Sequence, residues 1–240
     1  MSSQILYVTD PLCLWCYGMA PDLEAFYATL PSDIYCETIN GGLFPAKNAR
    51  VADKSFRNYL KGAAQQVTEY TGQIFGDSFW SLLETPNFRY DTEPSARASV
   101  AIKHLLNEAS MRSFIHDLQR AVFIEGKNPN DTEVLADIAV QQGADREGFV
   151  TLFNDSKNTI ETHKEYMQAK QIGVTGFPAV IYIANNKGYS LATGYSRKDM
   201  LINNLLWARK EAGQTPIDIN KDLFRKNSAT LSCDSNGCSV

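Results

Sequence analysis

Asp10-Pro-Leu-Cys-Leu-Trp-Cys-Tyr-Gly18 places two cysteines three positions apart, directly behind the alternating, β-prone run Ile5 to Thr9. Asp10-Pro11 ends that run as a strand. Beyond it, Met19, Leu23, Phe26, Tyr27 and Leu30 recur at helical spacing, with Pro21 near the helix start or kinking it. Cys13 and Cys16 therefore fall where a strand hands over to a helix. Unpaired backbone N–H groups and the helix dipole favour an anion there. The Cys13 thiol is thus expected to be exposed and to ionise below the free value of about 8.5, as an attacking sulfur. Cys16, one turn on, is expected to be buried and able to attack a mixed disulfide formed at Cys13.

Outward from this stretch, residues 34–39 read as a second strand closed by Asn40-Gly41-Gly42. Strand, helix and strand favour a parallel pair. Residues 54–170 read as helical, with no strand. The clearest helices cover 95–109, 111–125, 132–142, 145–154 and 159–171. Asp131 suits an N-cap, and Gly126 and Gly143 suit helix stops. The β pattern returns at residues 179–184, turns through Asn185-Asn-Lys-Gly188 and runs back over 189–193. A last helix spans 198–212, with Met200, Leu201, Leu205, Leu206 and Trp207 as its apolar face. Neither β part has enough strands to stand alone, so the two should form one sheet interrupted by helices. The expected organisation is an α/β domain from residues 1–45 and 160–212, a helical insertion at 46–159, and a polar, mobile tail at 213–240.

Gly173-Val-Thr-Gly-Phe-Pro178 precedes the strand at 179–184. A proline is tolerated at the first residue of a strand. Its place between the helical insert and the hairpin suggests a cis Phe177–Pro178 bond that presents the Phe177 backbone beside Cys13. A substrate chain could pair there in extended form. Trp15 and Tyr17, flanking Cys16, either shape that groove or simply pack. An ordinary trans proline is the plain alternative for Pro178.

Asp10 to Gly18, the helical insert, Gly176-Phe-Pro178 and the closing ββα together resemble the DsbA-like branch of the thioredoxin superfamily. Within it the chain is most similar to the FrnE-type members, often described as protein-disulfide isomerases. The resemblance covers about residues 4 to 212. It implies a thioredoxin fold with a helical domain, Cys13 as nucleophile, Cys16 as resolving cysteine and Pro178 as the cis-proline of a substrate groove. Two positions depart from the pattern. Leu14 stands where this branch commonly has Pro or Gly, which leaves the reduction potential open. Tyr7 stands six residues before the nucleophile, where thioredoxins and DsbA place a buried acid, so the group that takes the proton of Cys16 is open too.

The remaining features fit that expectation. Hydrophobic residues make up 44% and charged residues 21% of 240, and the net charge is −4. No basic run points to nucleic acid, and no stretch reaches the roughly 18 apolar residues of a membrane helix. No signal peptide is read at the start, so the expected location is cytoplasmic. Five cysteines make no disulfide scaffold. In a reducing compartment, paired cysteines point to redox chemistry or metal binding. The expected activity is thiol–disulfide exchange on protein or small-thiol disulfides, as reductase or isomerase, with glutathione a candidate partner and no cofactor or metal. A glutathione-dependent transferase or isomerase of the same fold is the first alternative, although such proteins usually carry Ser at the Cys13 position. A non-catalytic, zinc-holding or chaperone-like protein is the second, with Cys233 and Cys238 completing a site begun by Cys13 and Cys16. Cys36, on an apolar strand, reads as a buried inert thiol. Cys233 and Cys238 flank Asp234-Ser-Asn-Gly237, which can turn tightly enough for a disulfide of little structural value. They read either as a redox relay to Cys13 and Cys16 or as incidental exposed thiols.

Overall fold

The computed structural model describes residues 3–214 and the backbone of residues 233–234 and 237–238. Strand β1 (Ser3–Thr9) leads through a short turn into helix α1 (Leu14–Tyr27), and β2 (Ile34–Asn40) follows. β1 and β2 are parallel, Ser3 opposite Ile34 and Thr9 opposite Asn40. A right-handed crossover by a helix is the usual way to join parallel neighbours. Pro21 lies inside α1 rather than at its start.

The middle of the chain is helical. A two-residue strand, β3 (Arg50–Val51), precedes α2 (Lys54–Thr71) and α3 (Asp77–Leu83). Then come β4 (Arg89–Tyr90), α4 (Glu93–Leu105), α5 (Glu108–Phe123), α6 (Thr132–Gln141), α7 (Arg146–Asn154) and α8 (Ser156–Gln171). β3 and β4 form a small antiparallel ladder, so the strand-free reading of 54–170 is corrected at Arg89–Tyr90. Two residues carry no alternation for a pattern to reveal. The helices begin where short polar side chains can satisfy orphan N–H groups: Asp53 accepts from Phe56 N–H at 2.8 Å and Asn107 from Ser110 N–H at 2.9 Å. Gly126 ends the turn after α5 at φ 67°, and a β-carbon there would lie 2.3 Å from the Ser78 carbonyl oxygen. Both the conformation and the space demand glycine.

The chain then returns to the sheet with β5 (Ala179–Ala184) and β6 (Lys187–Thr193), and α9 (Lys198–Glu211) closes the described fold. Asn185 and Asn186 form the whole hairpin turn, both at positive φ, so the turn is two residues shorter than the expected four. The sheet order is β2-β1-β5-β6, with β5 antiparallel to both neighbours. It is one mixed sheet built from both ends of the chain.

Three apolar clusters hold these layers together. Met19, Leu23, Phe26, Tyr27 and Leu30 join α9 over one face of the sheet. Ala169 of α8 meets Leu6, Val8 and Ile39 on the other. Leu14 and Tyr17 of α1 turn the opposite way, into a helical core with Phe56, Phe79, Phe114 and Phe123. Each fully buried aromatic of that core contributes about 1.5–3 kcal/mol. Helix α1 is thus packed on two sides, and its N-terminus sits where sheet and helices meet. Among the described residues, no helix is long and apolar enough to cross a membrane. Residues 213–214 belong to the described chain, whereas the expectation of a mobile tail falls largely outside it. In the tail, the backbone of β7 (Cys233–Asp234) pairs antiparallel with β8 (Gly237–Cys238), Cys233 opposite Cys238.

Candidate active site

Cys13 is the N-cap of α1, with extended backbone at φ −78° and ψ 120°. Its Sγ accepts the Cys16 N–H at 3.4 Å, so one of the orphan donors of the helix end points at the sulfur. The backbone around it is fixed from behind. Cys13 N–H donates to the Asp10 carbonyl at 3.0 Å, and the Tyr90 hydroxyl donates to the Leu12 carbonyl at 2.6 Å. Cys13 and Cys16 are unbridged thiols.

Residues more than a hundred and sixty positions away complete the site. The Phe177–Pro178 bond is cis, and the Cys13 thiol donates to the Phe177 carbonyl oxygen at 3.6 Å. Pro178 is buried and Phe177 half-buried. The Pro178 carbonyl accepts the Gly194 N–H at 2.7 Å, which continues the sheet ladder to this end. The fold therefore brings Cys13, Cys16, Phe177 and Pro178 together. Trp15 is half-buried between Tyr70 and Tyr195, with ring centroids 6.0 and 6.1 Å away. Beside Phe177 a groove of about 900 Å³ runs past Thr175 and Gly176 along Ile181, Ile183 and Ser190.

One expectation is corrected. Cys13 is only 6% exposed, against 1% for Cys16, and its thiol is held well above the usual range. The side-chain hydrogen bond with Cys16 is the main cause, then burial and the nearby Cys16 and Asp10 charges; the Cys16 N–H opposes them. Helix-end stabilisation is present but outweighed in this dithiol arrangement, because the two sulfurs face each other inside the protein. Cys36, expected to be buried, is only half-buried.

Several neighbours escaped the sequence reading. Asp10 is fully buried, its Oδ1 accepting from Leu12 N–H at 3.0 Å and its Oδ2 from Leu43 N–H at 2.7 Å. It staples the turn before α1 to the loop after β2. Burial pushes its carboxyl up to about 6, against those hydrogen bonds. Gly41 and Gly42 seat two rings: a β-carbon on Gly41 would fall 1.9 Å from Phe177 Cε1, and one on Gly42 3.0 Å from the Tyr166 ring. The pair of glycines was visible in sequence, but only as a strand end.

Gly41→Ala is therefore expected to push the Phe177 ring from its seat and disturb the carbonyl beside Cys13. Overpacking of this kind costs about 1–3 kcal/mol. The kcat/KM for a peptide disulfide should fall more than that for a small aromatic disulfide. An equal fall for both would mean that Phe177 does not face an extended substrate.

A mixed four-stranded sheet flanked by helices, with two thiols at the start of α1 and a cis-proline opposite, defines a thioredoxin-fold protein. The family model for the DSBA-like thioredoxin domain matches residues 80–205, just over half of the chain. The chain belongs to that family, which is one of thiol–disulfide oxidoreductases. The matched residues include Phe177 and Pro178 and begin beyond Cys13 and Cys16. Three solved structures share the fold. A candidate protein disulfide isomerase from Nitrosomonas europaea superposes with a TM-score of 0.76 at 23% identity, covering 88% of this chain and 99% of that one. The cytosolic disulfide reductase DsbM from Pseudomonas aeruginosa gives 0.72 at 23% identity, over 86% of this chain and 99% of that one. The same reductase with GSH gives 0.65 at 20% identity, over 94% and 98%. No curated protein sequence matches the chain.

Proposed function

We propose that this protein reduces or isomerises disulfides of proteins and small thiols through Cys13 and Cys16, as a FrnE-type enzyme of the cytoplasm. The observation that carries the reading is the meeting of Cys13 Sγ, the α1 N-terminus and the Phe177 carbonyl within hydrogen-bond reach. In the proposed cycle the Cys13 thiolate attacks one sulfur of a substrate disulfide. A Cys13–substrate disulfide forms, and the other substrate sulfur leaves as a thiolate that takes up a proton. Cys16 then loses its proton and attacks Cys13, forming the Cys13–Cys16 disulfide and releasing the second substrate thiolate. The substrate has gained two electrons and the enzyme has lost them. Two molecules of glutathione return the dithiol and leave as glutathione disulfide. Phe177, Pro178 and Trp15 form the proposed substrate contacts, an extended chain pairing with the backbone before Pro178.

A titration against glutathione tests the direction of electron flow. A reduction potential for Cys13/Cys16 near −270 mV, roughly that of thioredoxin, is the expected result. A potential near −120 mV, roughly that of DsbA, would instead make the enzyme an oxidant. The occurrence of the DsbM fold with GSH supports glutathione as the partner to try first.

For the tail the proposal is a relay, in which Cys233 and Cys238 exchange with the Cys13–Cys16 disulfide. Their backbones stand opposite one another across a two-strand ladder, where directly paired residues lie about 4.5–5.5 Å apart, within disulfide range. Replacing both by Ser should change turnover while leaving the melting temperature unaltered. Unchanged turnover, with no tail cross-link to Cys13 in a Cys16→Ser background, would refute the relay.

A further inference from the structure

Attack by Cys16 requires that its thiol lose a proton, yet Cys16 is 1% exposed, on the inward side of the first turn of α1. The nearest titratable side chain on β1 cannot take it. Tyr7 is buried, accepts from the Thr9 hydroxyl at 3.0 Å, and is held well above its ordinary range by burial first and by Cys16 next, so it keeps its own proton. Asp10 is committed to the Leu12 and Leu43 N–H groups, on the Cys13 side. Behind Cys16, however, there is a cavity of about 30 Å³ between α1 and α5, floored by β1 and β2. Its walls include Cys16, Ala20, Thr38 and Gln119. About 10–15 Å³ of such space is enough to hold a water, and an ordered buried water needs two to four polar partners. The wall supplies them. Thr38 Oγ1 is buried without a hydrogen-bond partner, and Gln119 is 2% exposed.

Glu24 and His116 line this cavity and also a second, open crevice of about 390 Å³ at the surface. Both side chains are exposed, and His116 Nδ1 lies 3.6 Å from Asp117 Oδ1. The cavity thus links the buried sulfur to two polar side chains at the surface.

We propose that this cavity is the proton port of Cys16: one water between Thr38, Gln119 and the thiol passes the proton outward to Glu24 and His116. The proposal rests on the reading of Cys16 as the resolving cysteine. The Cys16 S–H bond breaks, its proton leaves through the port, and the thiolate forms the bond to Cys13 as the substrate thiolate departs. The other ionisable groups facing the port are Arg112 and Asp117 from α5, Tyr7 from β1, and Cys13 beyond Cys16. Lys103 and Glu108 hold the Thr38 backbone from the far side. Glu24 and His116 are relay residues; they do not touch the exchanging sulfurs.

The test follows one equivalent of 5,5′-dithiobis(2-nitrobenzoic acid) reacting with the full chain carrying Cys36, Cys233 and Cys238 as Ser. The first aromatic thiolate released reports attack by Cys13, in a concentration-dependent phase. The second reports resolution by Cys16, in a phase independent of concentration. Ala20→Leu fills the cavity and should slow the second phase by about tenfold or more, raise its pH midpoint, and leave the first within a factor of about two. Glu24→Gln with His116→Gln, at exposed positions that threaten no core contact, should do the same more weakly, with either single variant intermediate. Equal slowing of both phases by Ala20→Leu, or an unmoved second phase and pH midpoint in the surface double variant, would overturn the port. The underlying reading fails separately: Cys16→Ser must abolish the second phase, whatever the port variants do.

Discussion

Cys13→Ser is expected to reduce disulfide exchange to background, whereas Cys16→Ser should accumulate a stable mixed disulfide on Cys13. The asymmetry comes from where the helix begins. Cys13 occupies the cap of α1, so its sulfur meets the Cys16 N–H and the Phe177 carbonyl, at the edge proposed to receive the substrate chain. Cys16 lies inside the first turn and reaches only sulfur that Cys13 has already brought in. A finer consequence follows from the causes that hold the Cys13 thiol high. The largest is its side-chain hydrogen bond with Cys16, and the Cys16 charge adds to it. Removing that partner by Cys16→Ala should therefore let the Cys13 thiol ionise at lower pH, with the N–H at the helix end now opposed only by burial and the Asp10 charge. The initial rate of iodoacetamide labelling at mildly acidic pH should rise in the variant. Faster labelling of Cys16 than of Cys13 in the wild-type protein would reverse the two roles.

Much of this site was legible in the sequence because its parts are local patterns set at informative places. Cys13-x-x-Cys16 ends one β-prone run, Phe177-Pro178 opens another, and the apolar spacing from Met19 to Leu30 is that of the helix between them. Asp131 and Gly126 announced helix ends because caps are short-range chemistry. What could not be read is what depends on contacts between distant residues. Nothing local in Gly41 announces the Phe177 ring, nor in Tyr90 the Leu12 carbonyl. The Arg89–Tyr90 ladder is too short to show alternation. The high thiol of Cys13 was misjudged for a related reason: the helix end is visible in sequence, while the burial that turns the two sulfurs on each other is a property of packing. Asp10 was in view all along, yet only the loop after β2, folded back over it, makes it a buried staple.

Glu165→Leu is expected to cost about 3 kcal/mol or more at pH 8, lowering the melting temperature by roughly 10 °C. Glu165 is a buried residue of α8 and accepts from Asn40 twice, from the backbone N–H at 2.8 Å and from Nδ2 at 2.7 Å, while Lys103 Nζ stands 3.6 Å away. Leucine leaves the Asn40 backbone donor without its acceptor in the interior, and Asn40 leads directly into the Gly41-Gly42 seat of Phe177. Glu165→Gln keeps one acceptor oxygen, so its cost should be about 1 kcal/mol where the native carboxyl is protonated, and smaller at pH 8. The two variants also separate by pH. Burial raises the Glu165 carboxyl from its ordinary value of 4.5 to about 7, against the pull of Lys103 and Asn40. Between those values the native protein holds a proton that the unfolded chain has released, so this group makes stability fall as pH rises through the window. Asp10, raised to about 6, works in the same direction over the lower part of that range. Glu165→Gln should therefore flatten the fall between pH 4.5 and 7 without abolishing it. Urea unfolding at a series of pH values measures both effects. A Leu variant no less stable than the Gln variant at pH 8, or a pH profile unchanged by Gln, would mean that Asn40 is held by the strand ladder alone.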